Sequence, residues 1–327
     1  MALHAAQNVG DAIDATREFL FPFELRRWLK LAVVALFIGG GLNAPSGQFG
    51  GSGSTPDPNG GGELPATLPA DFVTILAVVA AVAVAFALVF GIIGAIMEFV
   101  FVESIRTDEV RLRRYWSDRW RQGLRLFGFR VLIGLPVLAL FLGWVALFFA
   151  PLLMSVQLPE ISAGVFLLGL PVLLVVGVVV GAVYSFTTLF VVPLMIQNDS
   201  GVLAGWRRLW PSIKREWKQY GAFALIGAVL TFVVGLIASM AVGIAAIVLL
   251  IPFAIVGVLV YLALSFSSAG TALIAVLAVI FAVVMLVVWA LVQVPIVAYL
   301  RYYALLVLGD IEAEFDIIPD QREAIRD

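Results

Sequence analysis

The sequence contains no cysteine and a single histidine, His4. The absence of cysteine excludes disulfides, thiolate nucleophiles and cysteine-ligated metal sites. One histidine is too few for a histidine metal cluster, and no serine lies within reach of it in sequence. A nucleotide-binding glycine loop is also missing, and no pair of carboxylates is singled out by its spacing. The sequence therefore predicts a non-enzymatic protein with no metal and no cofactor.

Charge is scarce as well. Of the 327 residues 13% are charged, whereas 62% are hydrophobic. A soluble domain is usually about 25% charged and about 45–50% apolar. So much apolar surface cannot be buried in one aqueous core, and the composition predicts an integral membrane protein. The net charge of −2 argues against a nucleic-acid partner.

Long runs without charge indicate the membrane segments. A spanning helix needs roughly 20 apolar residues, and the candidates before residue 200 are 28–42, 72–97, 131–156 and 161–196. The first is short. At about 1.5 Å per residue it reaches about 22 Å, less than the hydrocarbon core of about 30 Å. Whether it spans completely is left open by the sequence.

The region from 219 to 300 contains no charged residue. It can hold two long helices or three. The sequence YLALSFSSAGT (261–271) is the expected break before a last helix over 272–308, and Pro252 is expected to kink or break the helix that precedes it. Six or seven spans are therefore possible, and the internal repeat favours six.

The basic residues predict the orientation. All 20 Lys and Arg lie in 1–30, 106–130, 207–218 or 301–327. Because short cytoplasmic loops collect Lys and Arg, the pattern predicts a cell-membrane protein with a cytoplasmic N-terminus. The Gly/Ser/Pro-rich segment 43–70 has no basic residue and is predicted to be a flexible external loop. Six spans would also place the C-terminus in the cytoplasm.

Three segments of the chain are alike: FPFELRRWLKLAVVALFIG, WSDRWRQGLRLFGFRVLIG and WPSIKREWKQYGAFALIG. The first and third align without gaps at an offset of 189 residues. Each leads into a span, an external connection and a longer returning helix. We therefore predict an all-α polytopic transmembrane bundle of about six spans, built from three tandem hairpin repeats with interfacial amphipathic helices. The repeat units are 1–104, 105–197 and 198–310, and an acidic cytoplasmic tail follows over 311–327.

The basic segment of the second unit has two helical stripes. One is apolar and consists of Leu112, Trp116, Trp120, Leu124 and Phe127, and the other is charged and consists of Arg111, Arg114, Asp118, Arg121 and Arg125. This pattern is typical of a helix that lies in the membrane interface, with aromatic rings at the acyl boundary and cations toward phosphates. The third unit repeats it, with tryptophans beside Arg207, Arg208, Lys214 and Lys218.

These cations are candidate ligands for anionic lipid headgroups or for an unknown membrane protein partner at the cytoplasmic face. The candidate residues are Arg111, Arg114, Arg121, Arg125, Arg207, Arg208, Lys214 and Lys218, together with Trp116 and Trp120. The alternative interpretation is that they only fix topology and depth in the membrane.

Two groups of charged residues lie near the ends of the spans. Glu98 and Arg130 are candidates for an ion pair between consecutive helices, with either a functional or a purely structural role. Asp108, Asp199 and Asp310 each follow a returning helix and are predicted to be helix N-caps.

The leading functional hypothesis is a non-enzymatic membrane component that binds anionic lipid or a partner at the cytoplasmic face. The alternative is a transporter or permease for a small molecule or lipid that uses the interface between repeats. Transport requires a continuous polar cavity that reaches the membrane midplane. The predicted midplane offers only weakly polar residues such as Thr74 and Thr231.

The segments FLFPFELRRWLKLAVVALFIGGG and VQVPIVAYLRYYALLVLGD resemble an uncharacterised family of multi-pass membrane proteins from haloarchaea. The resemblance covers nearly the whole chain apart from the glycine-rich loop, and the 17 Arg against 3 Lys are typical of salt-adapted proteins. The pattern is also distantly similar to the membrane domain fused to some bacterial glycerophosphodiester phosphodiesterases, whose catalytic domain has no counterpart here. The resemblance implies a polytopic helical fold but neither an activity nor site residues.

Overall fold

The computed structural model describes residues 4–40, 70–153, 159–265 and 267–326. These ranges are almost entirely helical and contain no strand, so the prediction of an all-α fold is confirmed. The predicted external loop 43–70 lies outside the described residues, except for Ala70.

Ten α-helices occur in the described ranges. They are α1 (His4–Leu20), α2 (Leu25–Gly40), α3 (Ala70–Thr107), α4 (Leu112–Leu153), α5 (Pro159–Phe186), α6 (Val192–Asn198), α7 (Val202–Arg215), α8 (Trp217–Leu264), α9 (Ser268–Ile311) and α10 (Pro319–Arg326). A π-helical turn, Thr187–Val191, joins α5 to α6, and a 3₁₀ turn, Ala313–Phe315, follows α9.

The long helices pack in pairs that are consecutive along the chain. Helix α2 packs on α3, α4 on α5, and α8 on α9. Helix α3 also packs on α4, and α9 contacts both α1 and α2, so the last pair returns to the first. The bundle is thereby closed by contacts between its N-terminal and C-terminal helices.

Five helices are long and apolar enough to cross a membrane. The qualifying segments are Ala77–Thr107, Leu112–Leu147, Leu167–Asn198, Trp217–Leu264 and Ser268–Ile311. They are compatible with a multi-pass membrane protein. Helix α2 is apolar but has only 16 residues, about 24 Å at the usual helical rise.

The packed core lies at one end of the bundle, where α3 and α9 finish and α4 and α8 begin. We call this the charged end. Its largest fully buried side chains include Phe99, Phe101, Ile105, Leu126, Phe190, Tyr220, Tyr303 and Leu306. Farther along the same helices the apolar side chains face outward: Leu132, Leu168 and Leu262 are 71%, 76% and 72% exposed. A hydrocarbon environment removes the free-energy cost that such surfaces would have in water.

The uncharged region 219–300 forms two helices. Helix α8 ends at Leu264 and α9 begins at Ser268, which confirms the predicted break within 261–271. Ser267 caps α9, because its side chain accepts a hydrogen bond from the backbone N–H of Gly270. Helix α8 continues through Pro252, so this proline does not break the helix, and the alternative of a kink stays a prediction.

The basic segment of the second unit is not a separate interfacial helix. It forms the first turns of α4, which continues for 42 residues, and the prediction of a separate helix is wrong for this unit. No proline separates the basic residues from the apolar run that begins at Val131, and the helix continues through Gly128. In the third unit the equivalent helix, α7, is separate and ends at Arg215, because the backbone of the next residue, Glu216 (φ −114°, ψ 36°), is not helical.

Candidate functional site

A buried carboxylate lies between two arginines at the charged end. The side chain of Glu98 in α3 is 4% exposed and contacts the guanidinium of Arg301 in α9, which is 6% exposed. Nη2 of Arg130 in α4 lies 3.2 Å from Oε1 of the same carboxylate. Buried charges are found where they are paired and hydrogen-bonded. Glu98 therefore joins α3, α4 and α9 through charge.

Both arginines also bind the π-helical turn. Nη1 of Arg301 donates to the carbonyl oxygen of Thr188 at 2.6 Å, and Nη2 of Arg130 donates to its hydroxyl at 2.8 Å. A π turn changes the backbone hydrogen-bond ladder of a helix, and such turns are frequent at functional sites. The π turn between α5 and α6 thus supplies neutral hydrogen-bond acceptors to the two arginines that are paired with Glu98.

The structure brings the predicted candidates Glu98 and Arg130 into direct contact. Sequence reasoning did not identify Arg301 as their shared partner. The available signal was its position, because Arg301 is the first charge after 82 uncharged residues and lies at the same end of the spans. Whether this cluster lies inside the membrane stays a prediction.

A second polar network lies nearer to the helix ends. The guanidinium of Arg119 in α4 lies 3.3 Å from Glu103 and 3.5 Å from Asp199. Nε2 of Gln122 donates to Oδ1 of Asp199 at 2.8 Å and to the carbonyl of Met195 at 3.1 Å. Charge-assisted hydrogen bonds of this kind are stronger than neutral ones. They tie α4 to α3 and to the turn after α6.

The first turns of α4 have three faces instead of the predicted two. The face toward the protein contains Tyr115, Gln122 and Leu126, which are 7%, 5% and 0% exposed. The predicted apolar stripe lies beside it, and Trp120 and Leu124 remain 43% and 38% exposed. The sequence pattern did not identify the inward face, because its members are a tyrosine, an amide and a leucine that share no obvious polarity.

The predicted headgroup candidates divide into two groups by their partners. Arg111 contacts Glu109, the Arg114 guanidinium lies 3.9 Å from Asp118, and that of Arg208 lies 3.3 Å from Glu314. The other cations have no carboxylate within 4.0 Å in the part of the chain that the structure describes: Arg121, Arg125, Arg207, Lys214 and Lys218. We call these five residues the basic face.

Exposed tryptophans accompany the basic face. Nζ of Lys214 lies 5.5 Å from the ring centroid of Trp210, and Nζ of Lys218 lies 5.9 Å from that of Trp217. Trp210 and Trp217 are 52% and 65% exposed. The α4 and α7 parts of the face adjoin, because a Cβ on Gly201, just before α7, would stand 4.0 Å from Nη1 of Arg125. Trp116 of the candidate set is partly buried against the core.

The C-terminal segment folds back onto the charged end. Nη1 of Arg322 in α10 lies 3.2 Å from Asp310 and 3.3 Å from Asp316. Arg326 contacts Asp310 at 2.8 Å and Asp11 of α1 at 3.0 Å. The hydrogen bonds that Arg326 donates to Asp310 raise the pKa of its guanidinium, so this contact stays charged. The N-terminal and C-terminal helices therefore lie at the same end of the bundle.

The predicted N-cap role of three aspartates is wrong. Asp108 and Asp199 have left-handed backbone conformations (φ 52° and 47°) at the ends of the preceding helices, a conformation that Asp tolerates better than most residues. The N-cap of α7 is Gly201, with no side-chain cap bond. Asp310 lies within α9.

Two cavities open at the charged end. One of 210 Å³ lies between the end of α3 and the start of α4, where carboxylates and arginines alternate around Tyr115. The other, of 290 Å³, lies between α2 and the connection from α3 to α4 and is lined by Arg26, Arg27, Lys30 and Arg111 with three carboxylates. Charged side chains of both signs line both cavities.

No curated protein and no solved structure matches the chain. A match does exist to a family of unknown function, DUF7544, and it covers residues 3–318. This range includes the Glu98 cluster and the basic face, and it ends just before α10. The chain therefore belongs to the family of unknown function DUF7544.

Proposed function

We propose that this protein is a non-enzymatic component of the cell membrane that binds anionic lipid headgroups at its cytoplasmic face. The observation that carries the proposal is the basic face: five cations without a carboxylate partner among the described residues, beside exposed tryptophans. Each cation near an anionic membrane surface contributes on the order of 1 kcal/mol. Indole rings favour the headgroup level of a bilayer, so cations and rings act at the same depth.

The proposed topology has six spans, with α2 as the short first span. Both termini and the charged end are cytoplasmic, as the distribution of Lys and Arg predicts. The contact between Arg326 and Asp11 supports an even number of spans, because it joins α10 to α1 at one end. A short α2 requires local thinning of the bilayer or a tilt of its neighbours.

Contacts at the charged end support three tandem repeats. Each returning helix is followed at once by an acidic residue, Asp108 after α3, Asp199 after α6 and Glu312 after α9. Each acidic residue contacts the basic segment of the unit that precedes it, through Arg27, Gln122 and Arg215 respectively. The three hairpins thus use the same contact between their beginning and their end.

Lipid binding is favoured over the alternative of transport. A transporter requires a polar path toward the midplane, whereas both cavities described above open at the charged end. The charged clusters around Glu98 and Glu103 are occupied by internal ion pairs. The cations of the basic face are exposed and have no carboxylate partner among the described residues, so a headgroup can reach them.

Native mass spectrometry of the gently solubilised protein tests the proposal, with equal amounts of anionic and zwitterionic phospholipid. The test variant is Arg121→Gln/Arg125→Gln/Arg207→Gln, which removes three cations of the basic face. We expect its preference for anionic lipid to fall by about 3 kcal/mol, or roughly a hundredfold. The matched control is Arg114→Gln/Arg208→Gln/Arg215→Gln, which removes three arginines that already have carboxylate partners.

The control is expected to lose much less, since Asp118, Glu314 and Glu312 already offset those charges. An equal loss in both variants would mean that only the total charge matters. Unchanged lipid binding in the test variant would reduce the basic face to a topology signal and overturn the proposal.

A further inference from the structure

We propose that the cavity between α2 and the connection from α3 to α4 binds a phosphate group. We call it the basic cavity. Its volume is 290 Å³ and its walls contain four cations, Arg26, Arg27, Lys30 and Arg111. It shares its ligand chemistry with the basic face but none of its residues.

The charges in the basic cavity do not balance. Of its three carboxylates, Asp108 lies 2.6 Å from Nη2 of Arg27, and Glu109 contacts Arg111. Two cations remain, Arg26 and Lys30. Neither has a carboxylate within 4.0 Å among the described residues, and Nζ of Lys30 donates only to the neutral carbonyl of Val110, at 3.1 Å. The remaining carboxylate is Glu24, so an excess of positive charge is left for an anion.

Arg27 is held in place before any ligand arrives. Arg27 binds Asp108, and its guanidinium carbon also lies 4.6 Å from the ring centroid of Phe19. Its Nε is buried and has no acceptor in the described part of the chain. A buried donor without an acceptor is costly, and guanidinium groups bind phosphate through paired N–H donors. The pre-positioned arginine reduces the entropy that a ligand would otherwise lose.

An apolar stripe on the same helix adjoins these cations. Leu25, Leu29 and Val33 of α2 recur every four residues and are 61%, 44% and 46% exposed. Arg26 and Lys30 stand one residue after Leu25 and Leu29, at the same levels of the helix. A ligand that joins a phosphate to an acyl chain can therefore contact both surfaces. Free phosphate offers the same head chemistry without the apolar contact.

The test measures binding of phosphatidylglycerol by native mass spectrometry in the Arg121→Gln/Arg125→Gln/Arg207→Gln background, so that the basic face contributes little. Adding Arg26→Gln/Lys30→Gln removes both unpaired cations of the cavity. We expect binding to weaken about 25-fold, since each cation near an anionic group is worth roughly fivefold. Adding Glu24→Gln instead removes the unpaired carboxylate, and binding is expected to tighten by about twofold to fivefold.

The matched control, Arg17→Gln/Arg113→Gln, removes two exposed cations that do not line the cavity, and binding should stay within about twofold. The Glu24→Gln variant keeps the proposal testable if the double variant does not fold, because it predicts a gain. If neither Arg26→Gln/Lys30→Gln nor Glu24→Gln changes the binding of phosphatidylglycerol, the proposal is overturned. An equal loss in the control overturns it too, because general charge would then explain it.

Inorganic phosphate separates the two sources of the ligand. If millimolar phosphate displaces the lipid and binds equally well alone, the cavity is a site for free phosphate. If phosphate does not displace it, and Leu29→Asn weakens lipid binding, the ligand is the lipid. The loss of anionic-lipid preference in Arg121→Gln/Arg125→Gln/Arg207→Gln tests the basic face. The further change caused by the cavity variants tests the basic cavity. Either proposal can therefore fail while the other stands.

Discussion

The carboxylate of Glu98 contacts the guanidinium of Arg301, although 203 residues separate them in the chain. The contact joins α3 of the first helix pair to α9 of the last. Arg130 shares the same carboxylate, and both guanidinium groups also donate to Thr188. A single negative charge therefore holds two positive charges from different helices where the hairpins converge.

Replacing that charge tests its importance. Glu98→Gln keeps the side-chain size but leaves two guanidinium groups, one of them buried, without a counter-charge. We expect the free energy of unfolding to fall by about 3–5 kcal/mol, because breaking a buried pair strands a charge. Denaturant unfolding of the detergent-solubilised protein, followed by tryptophan fluorescence, measures it.

Glu109→Gln is the matched control for Glu98→Gln. Glu109 also contacts an arginine, but its side chain is 53% exposed. Exposed ion pairs typically contribute about 0–1 kcal/mol. A similar loss of stability in both variants would show that burial does not set the strength of the Glu98 contacts.

Particular elements show what the sequence can and cannot predict here. The break before α9 was predictable, because Ser265–Gly270 interrupts an apolar run with small polar residues. The membrane class followed from the scarcity of charge. The contact of Glu98 with Arg301 was not predictable, because residues so far apart in the chain share no periodic pattern.

The three faces of α4 show a second limit. Periodicity groups residues by polarity, and it separated tryptophans from arginines on this helix. It cannot identify which stripe meets a neighbouring helix. Arg119 and Gln122 were missed because they face inward to bind Asp199, whereas the more apolar Trp120 faces outward.

Close packing of α3 on α4 depends on Gly123. A Cβ at this position would lie 2.5 Å from Cγ1 and 2.8 Å from the Cα of Ile96. The second atom belongs to the backbone, so α3 itself would have to move. We expect Gly123→Ala to lower the free energy of unfolding by about 1–3 kcal/mol through overpacking.

Gly128→Ala provides the control on the same helix. No atom lies within 4 Å of a Cβ built at Gly128. Alanine has a higher helix propensity than glycine by about 1 kcal/mol, so this variant is expected to be neutral or more stable. The denaturant midpoints of the two variants and the wild type measure this difference. A Gly123→Ala protein as stable as the wild type would contradict the close approach of Gly123 to Ile96.

Arg322 fastens the C-terminal segment. Arg322 has two carboxylate partners, and its Nη2 also lies 3.2 Å from the carbonyl oxygen of Leu306. The guanidinium packs closely on α9, because a Cβ on Gly309 would lie 1.9 Å from the same nitrogen. We expect Arg322→Ala to release residues 313–326, since the carboxylates and carbonyls lose their shared donor. Amide hydrogen exchange should rise there by at least tenfold. Glu323→Gln, an exposed change on the same helix, should leave exchange unaltered, and equal exchange in both variants would contradict the role of Arg322.

The absence of cysteine allows a direct test of the six-span topology. Single cysteines are introduced by Ser54→Cys in the predicted external loop, and by Ser117→Cys and Ala324→Cys at exposed positions of the charged end. A membrane-impermeant maleimide should label Ser54→Cys in intact cells, and the other two only after permeabilisation. Arg326 of α10 contacts Asp11 of α1, so cysteines on these two helices should be labelled from the same side of the membrane. Asp14→Cys places a cysteine on α1, and its labelling should match that of Ala324→Cys. If Ala324→Cys is labelled in intact cells and Asp14→Cys is not, the protein has seven spans. That result would also contradict the contact between α1 and α10.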